Sequence, residues 1–215
     1  MSIPTRLDHV VIAGPDLAEL VAWFAARTGV TAAPGGAHPT GTANALVALT
    51  IDGRRGPQYL ELIGPDPDRS DRALPATFDI ASLEAPSVQA YAVHPDDIQA
   101  TVHHAREHGY DPGDVGDLSR RTPAGELLEW RLTRGPGQRL DVPFLIDWGR
   151  TPHPGLADIP TIELVSFERV EPDPGTLRPV IDALGLGDGA APIVAGPATG
   201  YRLVLRTESG ETVEL

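Results

Sequence analysis

Apolar and polar positions along the 215-residue chain alternate between two periods, and the changes of period mark out three segments. "LDHVVIA" (7–13) reads as a strand, and Leu17, Leu20, Val21 and Phe24 then follow the 3.6-residue repeat of a helix that Gly29 ends. "NALVALTI" (44–51) and "QYLELI" (58–63) return to the strand pattern on either side of the turn "DGRRGP". The order then recurs: a strand "VQAYAV" (88–93), a helix carrying Ile98, Val102 and Ala105 and ended by Gly109, and strands "LSRR", "ELLEWRLT" and "LDVPFLIDW", the last two joined by "RGPGQR". A shorter third segment follows, with strand "TIELVSFERV" (161–170), a helix from about Gly175 to Leu184, and strands "YRLVLRT" and "ETVEL". In "GPDL" and "HPDD" the Pro and Asp fall in a helix's first turn, where a missing N–H is harmless and a carboxylate suits the dipole.

This repetition predicts an α+β fold of strand–helix–strand units whose sheets curl around a central hollow. The units fall at 1–66 and 86–149, and 159–215 forms a partial third unit packed on or extending the same barrel, one compact domain overall. The connectors run over 64–86 and 149–160.

Strand parity decides which side chains face the hollow. Val10, Ile12, Leu60 and Leu62 are the natural partners of the first helix. Leu7, His9, Val11 and Ala13 then face away from it with Tyr59, Glu61 and Ile63, while Asp8 falls on the helix side. A histidine and a glutamate thus interrupt two apolar strands on one inferred face. Trp130 groups with Leu128 and Leu132, and Phe144 with Val142 and Ile146, as the opposite wall or as ordinary core.

Composition narrows the chemistry. Without cysteine there is no thiolate metal site or thiol nucleophile, and all 17 basic residues are arginine, which removes Schiff-base and Walker-type lysine chemistry. A net charge of −13 argues against a nucleic-acid partner. No apolar run reaches the ~20 residues of a membrane span, and Arg6 and Asp8 break any signal-like stretch, so a cytoplasmic protein is expected. The chemistry left falls to His, Asp, Glu, Arg, Ser, Thr or Tyr, or to a bound metal.

"LDHVVIAGPDLAELVAWFAARTGV", "HPTGTANALVAL" and "YLELIGPDP", followed by "LSRRTPAGELLEWRL", "VPFLIDWG" and "TPHPG", resemble the glyoxalase-like domain proteins of the vicinal-oxygen-chelate superfamily over about residues 5–156. That resemblance implies βαβββ units around a cavity, with a first-strand His and a last-strand Glu of each unit holding a divalent ion. Carried over, these ligands are His9 and Glu61. In the second unit Ala90 (or Gln89) and Phe144 (or Pro143) stand at the matching positions, and the incomplete set argues for no tightly bound metal. His9 and Glu61 are therefore candidate catalytic residues as well as candidate metal ligands.

His38, in "GGAHPTGTAN", is either a solvated loop residue or a cavity contact, and Asn44 either shapes a turn or faces the hollow. Arg120 or Arg121 either solvates the surface or reaches a substrate carboxylate. Trp148 reads as core, His153 as a lid over the cavity mouth or an exposed loop residue, and His103 and His104 as surface. The expected substrate-binding set is His38, Asn44, Arg120, Trp130 and Phe144. Two functions stay open: a lyase or isomerase using His9 and Glu61 on a small polar metabolite, or a metal-free module that binds or sequesters such a molecule. A homodimer pairing units between chains is an alternative to a third segment that caps the barrel within one chain.

Overall fold

The computed structural model describes residues 3–69, 73–135 and 139–215, so part of the 64–86 connector and the middle of the 134–139 turn lie outside the described residues. The first segment runs β1 (Leu7–Ala13), α1 (Leu17–Thr28), β2 (Ala33–Ala37), β3 (Thr42–Ile51) and β4 (Arg54–Pro65). The second runs β5 (Ser87–Val93), α2 (Ile98–Glu107), β6 (Asp114–Arg121), β7 (Leu127–Arg134) and β8 (Phe144–Asp147). The third runs β9 (Thr161–Glu171), α3 (Pro174–Ala183), β10 (Ile193–Ala195), β11 (Gly200–Arg206) and β12 (Thr212–Glu214). All twelve strands join one curled, unclosed mixed sheet in the order β12-β11-β9-β3-β4-β1-β5-β8-β7-β6, with β10 on β9 and β2 on β3.

The antiparallel β1–β5 pair links the first two segments, and the parallel pairing of Ala48–Thr50 with Thr161–Glu163 links the third to the first. The helices cover one side of the sheet. Leu20 and Phe24 of α1 pack with Val10, Ile12, Leu60 and Leu62, in a core that also takes in Val102 of α2 and Leu177 of α3. A second apolar cluster, with Val11, Ala13, Tyr59 and Ile63 of the first segment and Trp130, Phe144 and Ile146 of the second, occupies the concave side.

Several details depart from the sequence pattern. Strand β2 has the sequence "APGGA", whose proline and glycines read as a loop; pairing with β3 through a register shift at Pro34/Gly36 holds it extended. Strand β8 is far shorter than "LDVPFLIDW", and Val142, just before it, joins the helix-side core instead of the wall with Phe144. Asp16 and Asp97 stand one residue earlier than expected, as N-caps: Asp16 accepts the N–H of Glu19, and Asp97 those of Gln99 and Ala100. The third helix repeats the device with Asp173.

The departure that matters most lies in β1. A register shift between Leu7 and His9 against β5 breaks strict alternation. Leu7 consequently packs in the helix-side core, and Asp8 and His9, though adjacent in sequence, approach each other on the concave side. Parity alone put Leu7 and Asp8 on the wrong faces because a bulge is invisible to a two-residue period.

Candidate functional site

The concave side encloses a cavity of about 680 Å³. Its walls include His9 of β1, Asn44 of β3, Tyr59 and Glu61 of β4, Arg120 of β6, Trp130 of β7, and Phe144 of β8. His38, between β2 and β3, also borders it. Every residue expected to bind substrate or act in catalysis thus reaches one hollow.

His9 is 3% exposed, stacked on the Tyr59 ring at 4.6 Å and met edge-on by Phe144 at 5.4 Å. Its Nδ1 lies 2.7 Å from Asp8 Oδ1. Asp8, 2% exposed, also accepts the Trp148 indole N–H at 3.1 Å and the His153 Nε2–H at 2.9 Å, both on Oδ2. His153 Nδ1 accepts the Gly155 N–H, so its proton must sit on Nε2 and point at Asp8. Burial works against ionising Asp8, but the hydrogen bonds from His153 and His9 outweigh it and hold the carboxyl below the ordinary carboxylate range. An ionised Asp8 accepts only, so His9 Nδ1 carries its proton towards Asp8. In the neutral ring the bare Nε2 then faces the cavity.

Glu61 Oε2 lies 3.7 Å from that Nε2, beyond hydrogen-bond reach. Its other oxygen accepts the Asn44 amide N–H at 2.6 Å. The second amide hydrogen of Asn44 points to His38 Nε2 at 3.4 Å, which leaves His38 Nδ1–H to donate to Thr42 Oγ1 at 2.9 Å. Burial pushes the His38 imidazole below its usual range, with the nearby Arg120 charge acting in the same direction. Asn44 therefore fixes Glu61, and its own Oδ1 is buried without a partner, turned towards Gly35.

Sequence reasoning missed Asp8 and gave His153 the wrong alternatives. His153 neither covers the mouth nor lies exposed; it packs behind Tyr59 and Trp148 and reaches Asp8. The loop holding it is pressed onto β4, where Arg55 Nε donates to Gly155 O and a Cβ on Gly155 would meet Pro57 O at 2.1 Å. Trp148 lines the cavity as well as binding Asp8. Phe78 and Asp79, at the cavity edge, hold positive φ angles (51° and 55°) that no feature of the connector announces. The only available signal for Asp8 was a carboxylate beside a histidine inside an apolar run. Arg121 donates to Gly125 O on the exposed side, and His103 and His104 lie on α2 away from the cavity.

The residues present do not fit the divalent ion that the resemblance implies. Matching the caps Asp16 and Asp97 places Ala90 opposite His9, and the pairs Val11–Glu61 and Ala92–Phe144 place Phe144 opposite Glu61. Both counterparts end in carbon. Among the described residues no group of three His, Asp or Glu side chains is arranged to hold a metal, and two donors fall short of the usual four.

Residues 7–185 match the family model of the glyoxalase-like domain, and the chain belongs to that family. A hypothetical protein from Staphylococcus aureus shares the fold at 15% identity and a TM-score of 0.60, over 97% of this chain and 84% of that one. Methylmalonyl-CoA epimerase from Mycobacterium tuberculosis aligns at 23% identity over 69% of this chain and 91% of its own, with a TM-score of 0.41. A mutant of 4-hydroxymandelate synthase from Streptomyces coelicolor aligns at 16% identity over 99% of this chain and 62% of its own, with a TM-score of 0.46. No curated protein sequence matches the chain. Among the described residues no helix is long and apolar enough to cross a membrane.

Proposed function

We propose that the protein is a metal-independent lyase or isomerase that removes a proton beside a carbonyl group of a small polar metabolite. The observation that carries this reading is the Asp8–His9 pair: a buried carboxylate, loaded with three N–H donors, turns the bare Nε2 of His9 into the cavity. The same logic orients a catalytic imidazole wherever a carboxylate backs it. The cavity volume suits a small ligand, and its aromatic walls with a few convergent polar groups have the usual composition of a metabolite site.

In the proposed step the C–H proton passes to His9 Nε2 and the bonding pair moves to the carbonyl oxygen as an enolate. Asp8 stabilises the imidazolium on one side, and Glu61, kept turned to the cavity by Asn44, on the other. An isomerase then returns the proton to the neighbouring atom. A lyase lets the electron pair expel a β-substituent, which takes the proton. General acid–base transfer of this kind contributes ~10²–10⁴-fold in rate.

A second reading, a metal-free binding or sequestering module, is favoured by the apolar second half of the site around Ala90 and Phe144. Solvent-deuterium exchange into a panel of small carbonyl compounds, followed by NMR, separates the two. The enzyme reading expects exchange by the wild type, lost by about 10²-fold or more in His9→Gln and weakened in Glu61→Gln, with ligand binding retained. Exchange that survives His9→Gln unchanged rejects His9 as the base. Binding without exchange by the wild type supports the module. A homodimer and a cytoplasmic location remain parts of the proposal, tested by sedimentation and by cell fractionation.

A further inference from the structure

Arg120 stands apart from the other arginines of the chain. Arg6, Arg106, Arg131, Arg139, Arg169 and Arg202 all contact carboxylates. Arg120 is 6% exposed, the sole arginine in the buried class among the described residues, and no carboxylate there lies within ion-pair distance of it. Its NH1 donates to the backbone carbonyl of Gly35, and the guanidinium borders the cavity. Glu61, whose charge reaches the guanidinium and favours its charged form, is held by Asn44 and makes no ion pair with it. Arg134, the other cavity cation, is largely exposed, and the cavity carboxylate of Asp79 accepts from Ser82.

A buried cation left without a direct ion-pair partner is costly, and proteins rarely retain one unless something supplies that contact. Burial works against the charged form of this guanidinium and outweighs the help it receives from Glu61. A guanidinium also presents paired, coplanar donors that suit two oxygens side by side. Resting on the proposed small-molecule cavity, we infer that Arg120 is an anion subsite and that the ligand is a small 2-oxo carboxylate. Its carboxylate sits on the Arg120 fork, and its carbonyl group activates the C–H presented to His9. The positive charge that two ligand residues cannot recruit as a metal ion is thus carried by a side chain from the edge strand β6. The missing ligands at Ala90 and Phe144 and the unpaired arginine become two sides of one arrangement.

The probe is oxalate, a planar dianion with adjacent oxygens, compared by calorimetric titration with its neutral diamide, oxamide, in buffer containing EDTA. The inference expects oxalate to bind the wild type and oxamide to bind at least about tenfold more weakly. Arg120→Met is expected to lose about tenfold or more in oxalate affinity, and Arg120→Lys, which keeps charge without the fork, to fall between. Should Arg120→Met fail to fold, the oxalate–oxamide contrast on the wild type decides alone. Equal binding of the two probes, no oxalate binding at millimolar concentration, or full affinity in Arg120→Met overturns the anion site. The outcome is separable from the base chemistry. A wild type that exchanges the proton of a neutral ketone but ignores oxalate refutes this inference only. Oxalate binding without any exchange refutes the base and supports the subsite.

Discussion

Asp8→Asn exchanges one oxygen for an amide nitrogen in a place where three donors converge. If the new amide takes the position of Oδ2, it opposes the N–H groups of both His153 and Trp148. If it takes the position of Oδ1, it opposes His9 and only the longer, 3.4 Å arm of the Trp148 N–H, whose 3.1 Å arm on Oδ2 is kept. His153 cannot shift its proton, because its Nδ1 already accepts from Gly155, whereas His9 can. The second arrangement therefore wins: the asparagine N–H donates to His9 Nδ1, and the imidazole proton moves to Nε2, the nitrogen facing the cavity. Three charge-assisted bonds become neutral ones, each losing about 1 kcal/mol, so the variant is expected to be less stable by about 3 kcal/mol. Urea denaturation at neutral pH reads that loss, and long-range proton–nitrogen correlation spectra read the tautomer. Any proton-transfer activity falls by about 10²–10⁴-fold, because Nε2 no longer offers a lone pair. A variant within 1 kcal/mol of the wild type, with His9 still protonated on Nδ1, refutes the whole account of the dyad.

Three further outcomes follow from the same geometry. Gly35→Ala places a Cβ 2.1 Å from Asn44 Oδ1, so Asn44 must leave Glu61; a cost of about 1–3 kcal/mol and a lower melting temperature are expected. The His38 imidazole, held by burial below its unfolded value of 6.5, gives stability that is complete above that pH and lost as pH falls through the folded value. In His38→Gln the decline between about pH 7 and 5 flattens, as denaturation curves at several pH values will show. Asp8, whose folded value lies below its ordinary 3.8, acts further down: its contribution is intact above about pH 4 and erodes below it, and Asp8→Asn removes that acid-side slope.

The sequence carried the repeated order of elements and the concave placement of His9 and Glu61, while for Asn44, Trp130 and Phe144 strand parity offered the cavity only beside a turn or core alternative. It did not carry Asp8, because a bulge set by the β1–β5 pairing moved that residue across the sheet. Nor did it carry β2, whose glycines give clearance inside a strand: a Cβ at Gly35 would strike Asn44, and one at Gly36, which also holds a φ of 146°, the Arg121 backbone. His153 and Trp148 meet Asp8 from about 140 residues away, a distance over which no periodicity speaks.

Strand β2, a branch paired on one side to β3, and the end strand β6 come into contact where no backbone ladder joins them among the described residues. The Arg120 side chain crosses that gap to Gly35. A seam held by side chains and not by a backbone ladder can loosen without unzipping any strand pair. The amide hydrogens along these facing strands should therefore trade with solvent sooner than those of β1 and β4.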